Sequence, residues 1–196
     1  LLERTEGVSG IQVAGGSIIN ANPEAISSRI LYWIEFSEFL PGLPSGFRRH
    51  LSGSNLLIRR TDFENSRGFS SHLAMSEDLE MFSQADWKVF FEASARVRHF
   101  HRARWRSVTR HLTSLGYWSG RFRRQSGPRI RGSGLKHFPL LSWLLIPYRM
   151  IRILGRIWRH RAWEGLQATV LSVPILLALI HWTKGFCRGI RGKDPE

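Results

Sequence analysis

The segment Ser76-Glu77-Asp78-Leu79-Glu80 puts three carboxylates into the first turn of what reads as a helix opened by a capping serine. The helix dipole stabilises a carboxylate there as the anion, so at neutral pH Asp78 accepts a proton rather than holding one. An acceptor of that kind can serve as a general base that deprotonates an attacking hydroxyl, which typically contributes on the order of 10²–10⁴ in rate. The same residues also suit a plain solvated helix start, and only their surroundings separate the two readings.

Those surroundings are ordered. Upstream, Gly53-Ser-Asn-Leu-Leu-Ile-Arg-Arg60 is a small-residue turn feeding an apolar strand that closes on two arginines, followed by a short helix around Asp62 to Ser66 and by Gly68-Phe69. Downstream, Ala95-Arg-Val-Arg-His99 leads to His101-Arg102. If 95–101 is a strand, Val97, His99 and His101 share one face. Two histidines on one face can reach a metal, and surface or hydrogen-bonded histidines show the same pattern.

Taken in this order, Gly53-x-Asn55 with Arg59-Arg60, Gly68-Phe69, Ser76 to Glu80, and the Arg/His segment ending at Arg102 resemble the C-terminal half of a family 2 glycosyltransferase of the GT-A fold. The resemblance covers roughly residues 7 to 124. It implies Asp78 as catalytic base, Glu77 as organiser of the acceptor pocket, and Gly53 and Asn55 as lining of the acceptor and donor-sugar pocket. His99 would be a ligand for a divalent metal (Mg or Mn) or a diphosphate contact, and Arg102 a phosphate partner. The implied donor is a nucleotide-diphosphate sugar and the implied acceptor a lipid-linked molecule or a saccharide. No Asp-x-Asp occurs in these residues. The resemblance therefore places the nucleotide-binding half ahead of Leu1, and the chain by itself is not expected to turn over.

The elements that must position these residues suggest an α/β fold, a partial Rossmann-like GT-A domain ending near residue 101. Residues 7 to 20 read as strands or extended loops. Asn22-Pro23-Glu24 reads as a capped helix start, with Ile26, Ile30, Trp33, Ile34 and Ser37 on one face of a helix ending near Leu40-Pro41-Gly42. That face reads as core packing before substrate lining. Trp87 to Phe91 and Ala95 to His101 read as two strands.

Beyond residue 101 the composition changes. Residues 1 to 92 hold 8 Lys/Arg against 12 Asp/Glu, whereas residues 93 to 196 hold 21 against 3. From Arg102 to Arg124 the chain reads as a basic helix with a break at Gly116, followed by a Gly/Ser/Pro linker to residue 136. Residues 137 to 196 read as two apolar membrane-associated or transmembrane helices, Phe138 to Tyr148 and Leu166 to Trp182, separated by an arginine-rich segment. The arginines suggest a segment on an anionic membrane surface, with the catalytic part cytoplasmic.

Two rival readings follow from the same composition. Arg96 to Lys136 carries 12 Lys/Arg interleaved with aromatics, which suits phosphate backbones and base stacking as well as an anionic membrane. The apolar tail favours the membrane over nucleic acid. The third reading is a membrane-anchor protein whose α/β domain is inactive. The single cysteine, Cys187, excludes an intramolecular disulfide and a cysteine-rich zinc site.

Overall fold

The computed structural model describes residues 10–84 and 86–193, so Gly7 to Ser9 of the first expected strand lie outside the described residues. It is a mixed α/β structure built on a four-stranded sheet in the order β2-β4-β1-β3. The central pair, β1 (Val13–Asn20) and β4 (Val89–His99), runs parallel. The edge strands β2 (Gly46–Arg48) and β3 (Leu56–Ile58) are antiparallel to their neighbours.

The two strands expected over 87–101 are one strand with a bulge. Gly16 pairs with Glu92 but Ser17 pairs with Arg96, so Ala93, Ser94 and Ala95 are extruded from the ladder. A side chain at Gly16 would place its Cβ 2.0 Å from the Ala95 carbonyl oxygen, and one at Gly15 would come within 2.4 Å of Asn55 O. The Gly15-Gly16 pair therefore lets both the bulge and the turn before β3 lie directly on β1. Ser17 Oγ donates to Ala93 O at 2.9 Å, and Asn55 Nδ2 donates to Ser17 O and Ala95 O at 3.2 and 3.1 Å.

Helix α1 (Ile26–Phe36) starts later than Asn22-Pro23-Glu24 suggests and has no side-chain cap at Ala25. Asn22 continues the sheet instead. Its Oδ1 accepts from the His101 N–H at 2.9 Å and its Nδ2 donates to His101 O at 2.8 Å, repeating the two-bond exchange of paired strands with a side-chain amide. Ile30, Trp33, Ile34 and Ser37 are buried as their spacing predicts, but Ile26 is 52% exposed. Tyr32 fastens this helix to the sheet by donating from its hydroxyl to Ile18 O at 2.8 Å.

Two short helices follow, α2 (Arg60–Glu64) and α3 (Glu77–Ser83), and then α4 (Trp105–Gln125), which runs unbroken through Gly116. A short 3-10 turn, Ser133–Lys136, and another at Pro139–Leu144 lead into α5 (Leu145–His160), α6 (Ala162–Val170) and α7 (Ser172–Arg191). The two apolar stretches read from sequence thus become three helices. No single helix among the described residues is long and apolar enough to cross a membrane, although α6 and α7, bent by 75°, meet the requirement together.

Residues on both sides of the 125–136 linker share one core. Gly116 and Gly120 of α4 meet Gly185 and Gly189 of α7, each pair spaced four apart. Added Cβ atoms would fall 1.9 Å from Trp182 O at Gly116, 2.4 Å from Phe186 O at Gly120, 1.9 Å from Thr113 O at Gly185 and 2.0 Å from Tyr117 O at Gly189. The two backbones thus touch along two helical turns, the small-xxx-small packing that dispersion forces reward at close range. Phe186, Ile190, Val108 and Leu112 close the seam, in one continuous apolar cluster with Trp33 and Phe91. Each such side chain contributes roughly 1.5–3 kcal/mol by leaving water.

Candidate functional site

The structure brings Gly53 and Asp78 together, with Asn55 and Glu77 on the same two turns, and leaves His99 and Arg102 at and beyond the far end of β4. Gly53 opens a 3-10 turn, Gly53–Asn55, whose Ser52 hydroxyl accepts from the Ser54 N–H at 3.2 Å. That turn presents the Gly53 N–H to Asp78 Oδ2 at 3.2 Å, while Asp78 Oδ1 accepts from the Leu79 N–H at 2.8 Å. Both carboxylate oxygens are thus oriented by backbone donors on a partly exposed group. Glu77, Asp78 and Glu80 all lie in the first turn of α3, as expected from sequence.

Ser76 does not cap that helix with its side chain. Its backbone is left-handed, with φ 69°, and its Oγ shares a 3.1 Å hydrogen bond with Ser119 Oγ of α4. The strained residue therefore ties the acidic turn to the basic helix rather than completing a cap. Burial, reinforced by the neighbouring Asp78, raises the Glu77 carboxyl above its ordinary range, against the lowering effect of its backbone hydrogen bond. Glu80 Oε2 is buried without a hydrogen-bond partner. Gly68, at φ 59°, turns Phe69 back onto Phe63 with ring centroids 5.7 Å apart, so the Gly-Phe pair closes the loop between α2 and α3.

Asn55 is buried, and its amide nitrogen is occupied by Ser17 O and Ala95 O. It holds the β4 bulge against the Gly53 turn, so its contact with the site is through the backbone.

His99 lies at the far end of β4 in an aromatic cluster, its ring 5.2 Å from Phe36 and 4.6 Å from His101. His101 joins it as the shared-face reading requires. The His101 ring is fully buried, with Nδ1 3.7 Å from Glu35 Oε2, and Glu35 Oε1 also meets His111 Nε2. Burial, with His99, His111 and Arg102 adding to it, pulls His101 down to about 3, so this ring is neutral. Sequence reasoning missed Glu35 and His111; both lie on helices where nothing in the spacing marks them. Arg102 is exposed just beyond this cluster. Among the described residues no group of three or more His, Cys, Asp or Glu side chains is arranged to hold a metal ion, so the histidine cluster does not fit the divalent-metal site that the resemblance implies for His99.

The arginines between the apolar stretches are divided between the interior and the surface. Arg149 is half-buried, donating to Ile34 O at 3.4 Å with its guanidinium carbon 3.9 Å from the centre of the Trp182 ring, and desolvation lowers it to about 10. Arg152 and Arg156 converge on Glu38, Arg152 at 3.6 Å. Spaced by helical turns, these three dock α5 onto the acidic N-terminal half. Arg159 remains exposed. So do Trp143, Leu144, Tyr148, Ile151, Trp158 and Trp163, part of a concentration of exposed large apolar side chains between residues 138 and 177.

Comparison with known proteins finds no matching family model, no matching curated protein and no matching solved structure.

Proposed function

We propose that this chain is the acceptor-side part of an inverting glycosyltransferase that works at a membrane surface with a nucleotide-diphosphate sugar. The observation that carries the reading is the Asp78 carboxylate, held by the Gly53 N–H at 3.2 Å on an accessible helix start. In the reaction, Asp78 takes the proton of an acceptor hydroxyl as that oxygen attacks the anomeric carbon. The bond from that carbon to the diphosphate oxygen breaks, and the nucleoside diphosphate leaves with the electron pair. Glu77, beside it in the same helical turn, borders the acceptor pocket in this reading. A divalent metal, Mg or Mn, would supply charge stabilisation to the leaving diphosphate. Its ligands would have to come from outside the histidine cluster, and no step here depends on it.

The test is sugar transfer from a labelled nucleotide sugar by the full gene product, comparing wild type with Asp78→Asn. Loss of turnover with retained fold supports the assignment, and wild-type turnover in the variant removes it.

A second reading, a non-catalytic basic protein of anionic membranes, is favoured by one observation. Exposed tryptophans and aliphatic residues over 138–177 lie beside exposed Arg159 and Lys136. The same surface would hold the transferase on the cytosolic face of the cell membrane, near a lipid-linked or saccharide acceptor. Anionic lipid is favoured over nucleic acid because phosphate contacts and base stacking use none of these aliphatic side chains.

A further inference from the structure

We propose that the cleft between the end of β1, α1 and α6 binds a small zwitterion, with its anionic oxygens on Arg29 and Asn20 and its ammonium group on Glu164. The cleft has a volume of about 440 Å³ and sits at the carboxyl end of β1, beside the parallel strand β4. Clefts of that size hold small molecules, and the carboxyl ends of parallel strands are where open α/β sheets bind them.

Three side chains lining it each keep one buried polar atom without a partner: Asn20 Nδ2, Arg29 Nε and Glu164 Oε2. The remainder of each group is held in place. Asn20, 8% exposed, accepts at Oδ1 from the Asn22 N–H at 3.1 Å and from Ser28 Oγ at 3.0 Å. Arg29 Nη1 donates to Gln167 Oε1 at 3.1 Å, and Glu164 Oε1 pairs with Arg161 Nη2 at 2.7 Å. Three side chains that line one cavity therefore each carry unused capacity, two N–H donors and one carboxylate oxygen in all. Leaving such groups unpaired is costly, and a ligand that satisfies all three recovers that cost.

The lining charge selects the ligand class. The lining charges balance, with Arg29 against the exposed Glu24 and Glu164 paired with Arg161. A phosphate dianion would leave the cleft with excess negative charge. A molecule that brings its own ammonium group keeps the balance while its acid oxygens take the two N–H donors. Free amino acids and phosphoethanolamine have this chemistry, and so does the headgroup of an ethanolamine lipid. The cleft shares no residue with the Asp78 turn and stands whether or not the chain transfers sugars.

The experiment is calorimetric titration of the 196-residue chain with O-phosphoethanolamine and with L-serine, using inorganic phosphate and ethanolamine as controls that carry one sign of charge only. It is paired with ¹⁵N spectra of the Arg29 Nε–H. Saturable binding of a zwitterion is expected, with movement of that resonance and at least about tenfold weaker binding in Arg29→Met and in the near-isosteric Glu164→Gln. Competition by phosphatidylethanolamine vesicles identifies a lipid headgroup as the source, and binding without competition identifies a free metabolite. The proposal is overturned if neither zwitterion saturates by about 10 mM, if phosphate alone binds as tightly, or if folded Glu164→Gln binds like wild type.

Discussion

The Gly53 backbone N–H donates to Asp78 Oδ2 across twenty-five residues of chain, at 3.2 Å. The bond orients the carboxylate without neutralising it. Asp78→Asn keeps one amide oxygen for the Gly53 donor and gives up the Leu79 bond, so on this partly exposed group it should cost no more than about 1 kcal/mol in urea unfolding. Under the proposed mechanism turnover should fall by about 10²–10⁴, because an amide takes up no proton.

The exposed aromatic surface makes a separate prediction. Vesicles containing anionic lipid should bind the protein more tightly than purely zwitterionic ones, with added salt weakening the difference. Replacing Trp143 and Trp163 together by Ser should reduce partitioning by roughly tenfold or more in a sedimentation assay, since each buried aromatic contributes on the order of 1.5–3 kcal/mol. Equal partitioning of the double variant would mean that this surface does not enter lipid.

The seam between α4 and α7 tolerates no Cβ at Gly116, where one would lie 1.9 Å from Trp182 O. Gly116→Val should destabilise the fold by about 1–3 kcal/mol or more, as overpacking against backbone does. Gly155→Ala is the contrasting substitution. It lies in α5 with nothing within 4 Å, and there the change should stabilise by roughly 0.5–1 kcal/mol. Thermal unfolding of the two variants should therefore shift in opposite directions.

Asn55 contributes to stability through one amide nitrogen. Asn55→Ala leaves the Ser17 and Ala95 carbonyls without that donor and should cost roughly 1–3 kcal/mol by urea denaturation. Asn55→Asp should be worse, because a carboxylate cannot donate and would face both carbonyl oxygens.

The buried His101 ring gives the protein an acid sensitivity of defined sign. Its folded-state value of about 3 lies below the roughly 6.5 of an exposed histidine, so the unfolded chain binds a proton that the folded chain refuses. Its contribution is complete above about pH 6.5 and is lost as pH falls towards 3, with a slope of up to about one proton. Glu35, His99, His111 and Arg102 are the charged and titratable groups around the ring. Both His101 ring nitrogens lack hydrogen bonds, so His101→Phe should fold. Its urea midpoint should vary less with pH than that of wild type between about pH 5 and 6.5. Identical pH profiles would show that His101 does not carry the effect.

Local pattern alone determined a good part of this protein. Short apolar runs beside glycines and turn residues announced β1 and β3, the spacing of Ile30, Trp33 and Ile34 announced the buried face of α1, and the acidic run announced the first turn of α3. These follow from periodicity and dipole effects that act over one or two turns. Partners distant in sequence decided the rest. Asn22 forgoes a helix cap because the end of β4 offers it two backbone bonds, and Ser76 does so because Ser119 lies opposite. The glycines of α4 and α7 have no visible purpose until the two helices meet, and the arginines of α5 reveal their inward direction only once Glu38 and Ile34 are in place. A side chain's type sets which bonds it can make, but which of them it makes depends on the groups that folding brings within about 3 Å.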